Sequence, residues 1–337
     1  MTTTKSPAGV SYFNHENQRV SEAKNRYNEI SYSHAKPFLK WAGGKGQLLL
    51  ELEKRLPSKI KESKMIERYF EPFVGGGAFF FHLRENYIIR ESYLSDINKE
   101  LIIGYRVIQK NPHELIYRLL ELQNRYYRMD GQRRKEFFYQ IRILYNDQIK
   151  DFDYINYNNG WIDRACHLIF LNKTCYNGLF RQNKRGLFNV PFGKYRNPKI
   201  CDEINILEVN KALANTKIIC DDFKKSENYI EKGDLVYIDP PYRPISKTSN
   251  FTDYSNEGFT DEDHKRLAEF FNEMNKKEAY LILSNSDPKN YNPEDSFFDI
   301  LYKGYSIENV KANRMINCNP EKRGRINELI ISNYKGG

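Results

Sequence analysis

The sequence predicts an α/β fold built on a Rossmann-like sheet, and three stretches carry that expectation. Leu235-Val-Tyr-Ile238 is an apolar, β-favouring run that stops at a carboxylate, Asp239, and is followed by Pro240-Pro241-Tyr242. Such a run reads as a buried strand, and the prolines forbid further strand pairing. Tyr69 to Glu71 end another short strand, Gly75-Gly-Gly77 make a turn, and Ala78 to Leu83 open a helix. Glycines between a strand and a helix permit positive φ and a close approach to a ligand of nucleoside type. Ser92 to Asp96 then read as a second parallel strand. Its last residue lies about twenty positions past the glycines, where a carboxylate can accept from ribose hydroxyls. Asp96 as N-cap for the helix from Lys99 is the structural alternative.

Composition bounds the rest. The chain has 337 residues, 40% hydrophobic and 14% aromatic. That suffices for a real core, as one large domain with an insertion or as two domains. The five cysteines, at 166, 175, 201, 220 and 318, are scattered. They argue against a zinc site or a disulfide framework and fit a reducing cytoplasm. No signal-peptide core or membrane-length apolar run is present, so no membrane partner is expected. The Asn-X-Thr triplets at Asn172 and Asn250 are therefore read as chance matches.

In chain order, residues 1–35 read as a polar N-terminal extension. Lys36 to Gln47 follow, then an apolar-periodic segment through Leu56 that reads as a helix ending before Pro57. Gly43, Gly44 and Gly46 around Lys45 invite a phosphate-loop reading, but the spacing fails and no Ser or Thr follows the lysine. After the strand ending in Asp96, residues 105–204 break the βαβ rhythm with a mostly helical insertion. Residues 36–104 and 205–337 form the sheet domain around it. Positions 105 to 200 hold 18 Lys plus Arg against 8 Asp plus Glu, so the insertion accounts for the net charge of +9. Basic residues interleaved with aromatics and turn residues fit a nucleic-acid reader. Asn183 to Gly186 look like a hairpin tip. Thr216 to Cys220 read as a third strand, with Asp222 and Phe223 past its end and Asp221 competing for the same role. A polar loop is expected over 243–258 and a helix from Thr260 to Met274, capped by Thr260 or Asp261. A strand is expected over Ala279–Ser284, and two more within 296–334 flank a basic turn at Glu321–Arg325.

Asp239-Pro-Pro-Tyr242 resembles the catalytic motif of amino-methyltransferases that use S-adenosylmethionine, in the form found in DNA adenine-N6 methyltransferases. From about 36 to 334 the chain is similar, motif by motif and in order, to Dam-like (D12 class, alpha-group) enzymes. The resemblance implies S-adenosylmethionine as cofactor, bound by Trp41, Lys45, Glu71, Phe73, Gly75, Gly77, Asp96, Asp222, Phe223 and Asp239. It implies double-stranded DNA as partner, met by a recognition hairpin within Leu171–Tyr195. Tyr176, Asn177, Leu179, Arg181 and Pro191 sit where that family contacts its site, and Asn183 and Tyr195 belong to the same stretch. Arg181 can bind guanine O6 and N7 bidentately. Lys184, Arg185 and Lys194 suit phosphates. A GAT-containing site, with GATC foremost, is expected, and a restriction endonuclease acting separately is an allowed companion.

The chemistry explains the catalytic residue types. An exocyclic amino group is a poor nucleophile because its lone pair is spread into the ring. Acceptors at Asp239 and the Pro240 carbonyl can hold its two N–H groups and favour a pyramidal nitrogen, which is positioning plus electrostatic preorganisation. Tyr242 can stack on the base, worth about 1–3 kcal/mol. No metal is required. The alternatives are cytosine-N4 transfer, whose enzymes usually carry serine at the position of Asp239, an RNA or protein amide methyltransferase, and a catalytically inactive DNA-binding module. Cytosine-C5 chemistry needs a cysteine after proline, and none of the five has one.

Overall fold

The computed structural model describes residues 34–41, 43, 45–243, 259–313 and 325–335. The expectations for residues 1–33, for the loop at 244–258 and for the turn at 321–324 lie outside the described residues. Seven strands form one sheet: β1 Met65–Glu71, β2 Ile88–Asp96, β3 Thr216–Cys220, β4 Leu235–Ile238, β5 Tyr280–Ser286, β6 Ser306–Asn313 and β7 Arg325–Ser332. Their order is β3-β2-β1-β4-β5-β7-β6. The first five in that order are parallel, whereas β7 runs antiparallel to both β5 and β6.

That order has a functional consequence. From β1 the chain steps outward to β2 and β3, then returns to the other side of β1 as β4. The carboxyl ends of β1 and β4 therefore flank a topological switch point, where an open α/β sheet leaves a crevice. Glu71, Asp96 and Asp239 all stand at strand ends on this edge.

Apolar alternation seats the sheet between two layers. In β4, Leu235 and Tyr237 join one core cluster, and Val236 and Ile238 join the other. The larger cluster takes in the helices Ala78–Asn86, Lys99–Lys110 and Glu203–Ala212, and continues without a break into the helices Pro112–Tyr127, Gly131–Asp147 and Asn159–Thr174. The smaller one packs the helix Asp261–Lys276 through Leu267, Phe270, Phe271 and Met274. Thr260 caps that helix in a reciprocal box with Asp263, as the sequence suggests.

The expected boundary at 104/105 falls inside the helix Lys99–Lys110. Arg106 donates through Nη2 to the Ile218 carbonyl at 2.9 Å, and Gln109 donates to those of Leu213 and Thr216 at 3.0 and 2.8 Å. Those bonds tie the whole helix to the region of β3. The helices between β2 and β3 centre on Asn159–Thr174, a helix buried on nearly all sides through residues such as Trp161, Leu168, Phe170 and Leu171. A buried cluster bolts it to the helix Lys99–Lys110. Arg164 donates to both carboxylate oxygens of Glu100, at 2.7 and 2.6 Å, and Tyr145 and Tyr154 donate to the same oxygens at 2.8 Å each.

Candidate active site

The strand ends open onto one cleft of about 980 Å³. It is lined by Trp41, Lys45, Glu71, Phe73, Gly75, Gly77, Asp96, Asp222, Phe223, Asp239, Pro240 and Tyr242. Every residue expected at the cofactor or at the reacting atom thus meets in one place. Gln182 and Gly186 line it too.

β1 delivers Glu71 into a buried position, where it accepts from the Tyr69 hydroxyl at 2.8 Å. Burial pushes its carboxyl well above the ordinary range, and the nearby Asp239 charge pushes the same way. The glycine turn that follows needs glycine sterically. Gly77 has φ +68°, and a Cβ there would stand 2.6 Å from the Tyr105 hydroxyl. A Cβ on Gly75 would come within 3.2 Å of the Trp41 ring. β2 delivers Asp96, whose two oxygens accept from the Gly75 and Asn98 amides at 3.0 and 2.9 Å. Asp96 does not cap the following helix. Asn98 does, accepting from Glu100 and Leu101.

Past β3, Asp221, Asp222 and Phe223 all line the cleft. Asp222 is paired with Arg266 at 3.2 Å and accepts from the Lys224 amide at 3.0 Å. Phe223 is buried and stacks on Phe73, with ring centroids 5.3 Å apart. Phe259 closes on Phe73 edge-on at 5.8 Å. Aromatic faces, backbone-held carboxylates and a glycine cradle in one cleft suit a nucleoside cofactor carrying a positive charge.

At the end of β4, Asp239 sits in a charge network. Its Oδ1 lies 3.1 Å from Lys45 Nζ and accepts from Ser284 Oγ at 3.1 Å. Ser284 in turn accepts from the buried Tyr237 hydroxyl at 2.9 Å, because its own proton goes to Asp239. Lys45 is 5% exposed and also donates to the Tyr242 hydroxyl, which donates to Glu328 Oε2 at 2.7 Å. Glu328 lies 3.8 Å from the same ammonium. Burial raises the Asp239 carboxyl above its usual value, while Lys45 and then Ser284 oppose the rise. Tyr242 keeps part of its ring exposed, with Lys45 Nζ 4.1 Å from its centroid.

Ser284 and Glu328 escape a reading of the sequence for site residues. Glu328 carries a faint signal, an acidic residue inside the apolar strand Ile326-Asn-Glu-Leu-Ile-Ile331. A buried carboxylate there demands partners, and they include Tyr242 and Lys45, both distant in the chain.

The expected hairpin leaves the helix Asn159–Thr174 and returns beside it. Tyr176 donates to the Pro191 carbonyl at 2.8 Å and Asn189 to that of Arg181 at 3.1 Å. Only isolated bridges, Cys175 with Phe192 and Gln182 with Phe188, mark the ladder. A 3-10 turn at Tyr176–Gly178, with Asn177 at φ +58°, interrupts strand geometry. Asn183 builds the tip, its side chain accepting from the Arg185 and Leu187 amides, and Gly186 turns there at φ +75°. Tyr176, Asn177, Arg181, Lys184, Arg185, Pro191, Lys194 and Tyr195 are exposed, whereas Leu179 and Asn183 are half-buried. Arg181 Nε donates to Asn189 at 2.8 Å, which orients the guanidinium. Among the described residues, no cluster of three His, Cys, Asp or Glu side chains could hold a metal, and no helix is long and apolar enough to cross a membrane.

Residues 41–316 match the family model of D12 class N6 adenine-specific DNA methyltransferases. A Type II methyltransferase of Methanocaldococcus jannaschii is 47% identical over 89% of this chain and 99% of its own. One of Lactococcus lactis subsp. cremoris is 36% identical over 89% and 95%, respectively. The DNA adenine methylase of Escherichia coli K12 is 32% identical over 89% and 95%. With most of its length matched and its strand ends gathered on one cleft, the chain belongs to the D12 class of N6 adenine-specific DNA methyltransferases.

Proposed function

We propose that the protein transfers a methyl group from S-adenosylmethionine to N6 of an adenine flipped out of duplex DNA, within a GAT-containing site of which GATC is the foremost candidate. The observation that carries this reading is the shared cleft. Asp239, Pro240 and Tyr242 line the same space as Glu71, Gly75, Gly77, Asp96 and Phe223.

Bound S-adenosylmethionine would supply the electrophilic methyl group, with Asp96 at its ribose and Phe223 and Phe73 at its adenine. The chain's own residues do the rest. Asp239 Oδ and the Pro240 carbonyl accept the two N6–H groups of the target base and turn its lone pair toward the cofactor side. Lys45 and Ser284 oppose the rise that burial imposes on the Asp239 carboxyl. Tyr242 offers its ring to the base while its hydroxyl is tethered between Lys45 and Glu328. Extruding the adenine costs a few kcal/mol, which stacking on Tyr242 helps to offset.

The insertion reads the duplex. Arg181, oriented by Asn189, suits a guanine edge, and Lys184, Arg185 and Lys194 suit phosphates. Tyr176, Asn177, Leu179, Asn183, Pro191 and Tyr195 complete the reading stretch, carried by the insertion between residues 105 and 204. Two relatives are named Type II methyltransferases, which supports a role beside a separate restriction endonuclease.

Methylation mapping tests the proposal. The protein is expressed in cells without adenine methylation, and N6-methyladenine is located by single-molecule sequencing, with Asp239→Ala as control. Methylation at one GAT-containing motif, absent in the control, is expected. A motif without GAT would overturn the assigned specificity, and methylation persisting in Asp239→Ala would overturn the assigned chemistry.

A further inference from the structure

We propose that Asn172 is a positioning residue that couples DNA reading to the cofactor side of the cleft. The inference rests on the function proposed above and adds a link between its two halves.

Asn172 sits in the last turn of the helix Asn159–Thr174 and is 1% exposed. Its amide touches only backbone. Oδ1 accepts from the Lys40 N–H at 2.9 Å, and Nδ2 donates to the Lys40 carbonyl at 3.0 Å. The second Nδ2 proton goes to the Gly178 carbonyl at 2.9 Å. One primary amide therefore satisfies both polar groups of Lys40, the residue before Trp41, and one of Gly178, within the DNA-reading stretch. A side chain spent on backbone in this way fixes where segments lie. It makes no contact with either ligand.

Two further contacts follow the same line. Gly178 lies so close to Lys40 that a Cβ would stand 2.9 Å from Lys40 Cδ, and its φ is +63°. Two residues on, Phe180 stacks on Trp41 with ring centroids 5.0 Å apart and planes 20° from parallel. Trp41 in turn leans on the glycine cradle at Gly75. The path from reading stretch to cofactor cradle is continuous: Gly178 and Phe180, then Asn172 with Lys40 and Trp41, then Gly75. A shift of the reading stretch on a wrong sequence would carry Lys40 and Trp41 with it. Buried polar networks that are fully satisfied specify one arrangement in this way.

The test compares Asn172→Leu, which deletes all three bonds, with Phe170→Leu, a core change in the same helix that touches none of these groups. Circular dichroism and thermal unfolding establish that each full-length variant is folded. Initial rates then give the KM for S-adenosylmethionine, and the ratio of kcat/KM on the mapped site to that on duplexes with one base changed. Asn172→Leu is expected to raise the cofactor KM at least tenfold and to lower the discrimination ratio at least tenfold together. Phe170→Leu is expected to lower the melting temperature and leave both parameters within twofold. Gly178→Ala crowds Lys40 and the Asn172 carbonyl at a backbone φ of +63° and is expected to reproduce the paired change, which keeps the proposal testable where Asn172→Leu does not fold. A folded variant that moves only one parameter, or neither, overturns the coupling. Wild-type protein that shows no cofactor-dependent methylation overturns the underlying function as well, so the two failures are distinguishable.

Discussion

Replacing Lys45 by Met removes a buried cation from the network of Asp239, Tyr242 and Glu328 while keeping most of the side-chain volume. The ammonium lies 3.1 Å from Asp239 and 3.8 Å from Glu328 and is almost wholly buried. At that separation and an effective dielectric near 20, Coulomb's law gives about 5 kcal/mol for the Asp239 pair before any desolvation is counted. Breaking a buried ion pair by removing one partner usually costs about 3–5 kcal/mol, and we expect a loss in that range at pH 8.

The loss depends on pH with a definite sign. Burial already holds Asp239 above its ordinary value, and Lys45 opposes that rise. Without the cation the folded-state value climbs further, while the unfolded value stays put. A carboxyl whose folded value exceeds its unfolded one favours the folded state at low pH and loses that contribution as pH rises through the folded value. The stability deficit of Lys45→Met is therefore smallest in acid and grows as pH rises through the folded-state value of Asp239. In activity, the acid limb of the kcat profile moves to higher pH, because the carboxyl that has lost its cation ionises only at higher pH. Urea unfolding of both proteins at a series of pH values measures the first effect, and single-turnover rates the second. A deficit that is constant with pH, or largest in acid, would refute the electrostatic account, as would an unmoved acid limb in a variant that still binds cofactor.

Three other outcomes are expected. Gly77→Ala should cost about 1–3 kcal/mol, since it strains a φ of +68° and drives a methyl into the Tyr105 hydroxyl; adding Tyr105→Phe should recover part of the loss in thermal unfolding, and no recovery would refute the steric argument. Arg164→Met should cost about 3–5 kcal/mol by leaving Glu100 buried without its cation; the double variant with Glu100→Gln should be more stable than the single, and strict additivity would count against the pair. His264 is buried among Phe259, Phe297 and Phe298, neither ring nitrogen has a partner among the described residues, and burial lowers its pKa to about 4. Its folded value lies below the unfolded one, so stability should fall by about 3 kcal/mol as pH drops from about 6.5 to 4, and His264→Leu should flatten that slope in unfolding titrations.

What could be read from the sequence was whatever is local to a strand end. Each strand that feeds the cleft announces itself by an apolar run that stops at a special residue, as at Glu71 before the glycines, at Asp96 and at Asp239 before two prolines. Those residues share one edge because parallel strands joined by crossovers must all point the same way, so a linear list of motifs becomes a site without further information. The helix Lys99–Lys110 shows where this stops working. A shift in local composition suggested a boundary at 104, but Arg106 and Gln109 spend their donors on carbonyls at and beside β3. Their polarity marks attachment to the sheet and departure from nothing.

Glu328, Ser284 and Asn172 lie on the far side of that limit for one physical reason. Each is a polar side chain inside an apolar element, and each is satisfied by a group distant in the chain: Lys45, Asp239, and the backbone of Lys40. Polarity in a buried run reports that a partner must exist, because leaving it unpaired costs a few kcal/mol. It does not say which partner. For Glu328 the answer follows from the antiparallel turn of β7 beside β5, which sets its register opposite Ser286 and carries its carboxylate back to the strand-end edge. The same reversal is what lets one ammonium serve carboxylates from β4 and β7 at once. The antiparallel strand thus contributes a charge to the site: Glu328 lies 3.8 Å from the Lys45 ammonium and accepts from the Tyr242 hydroxyl, so a second negative charge offsets the cost of burying that ammonium.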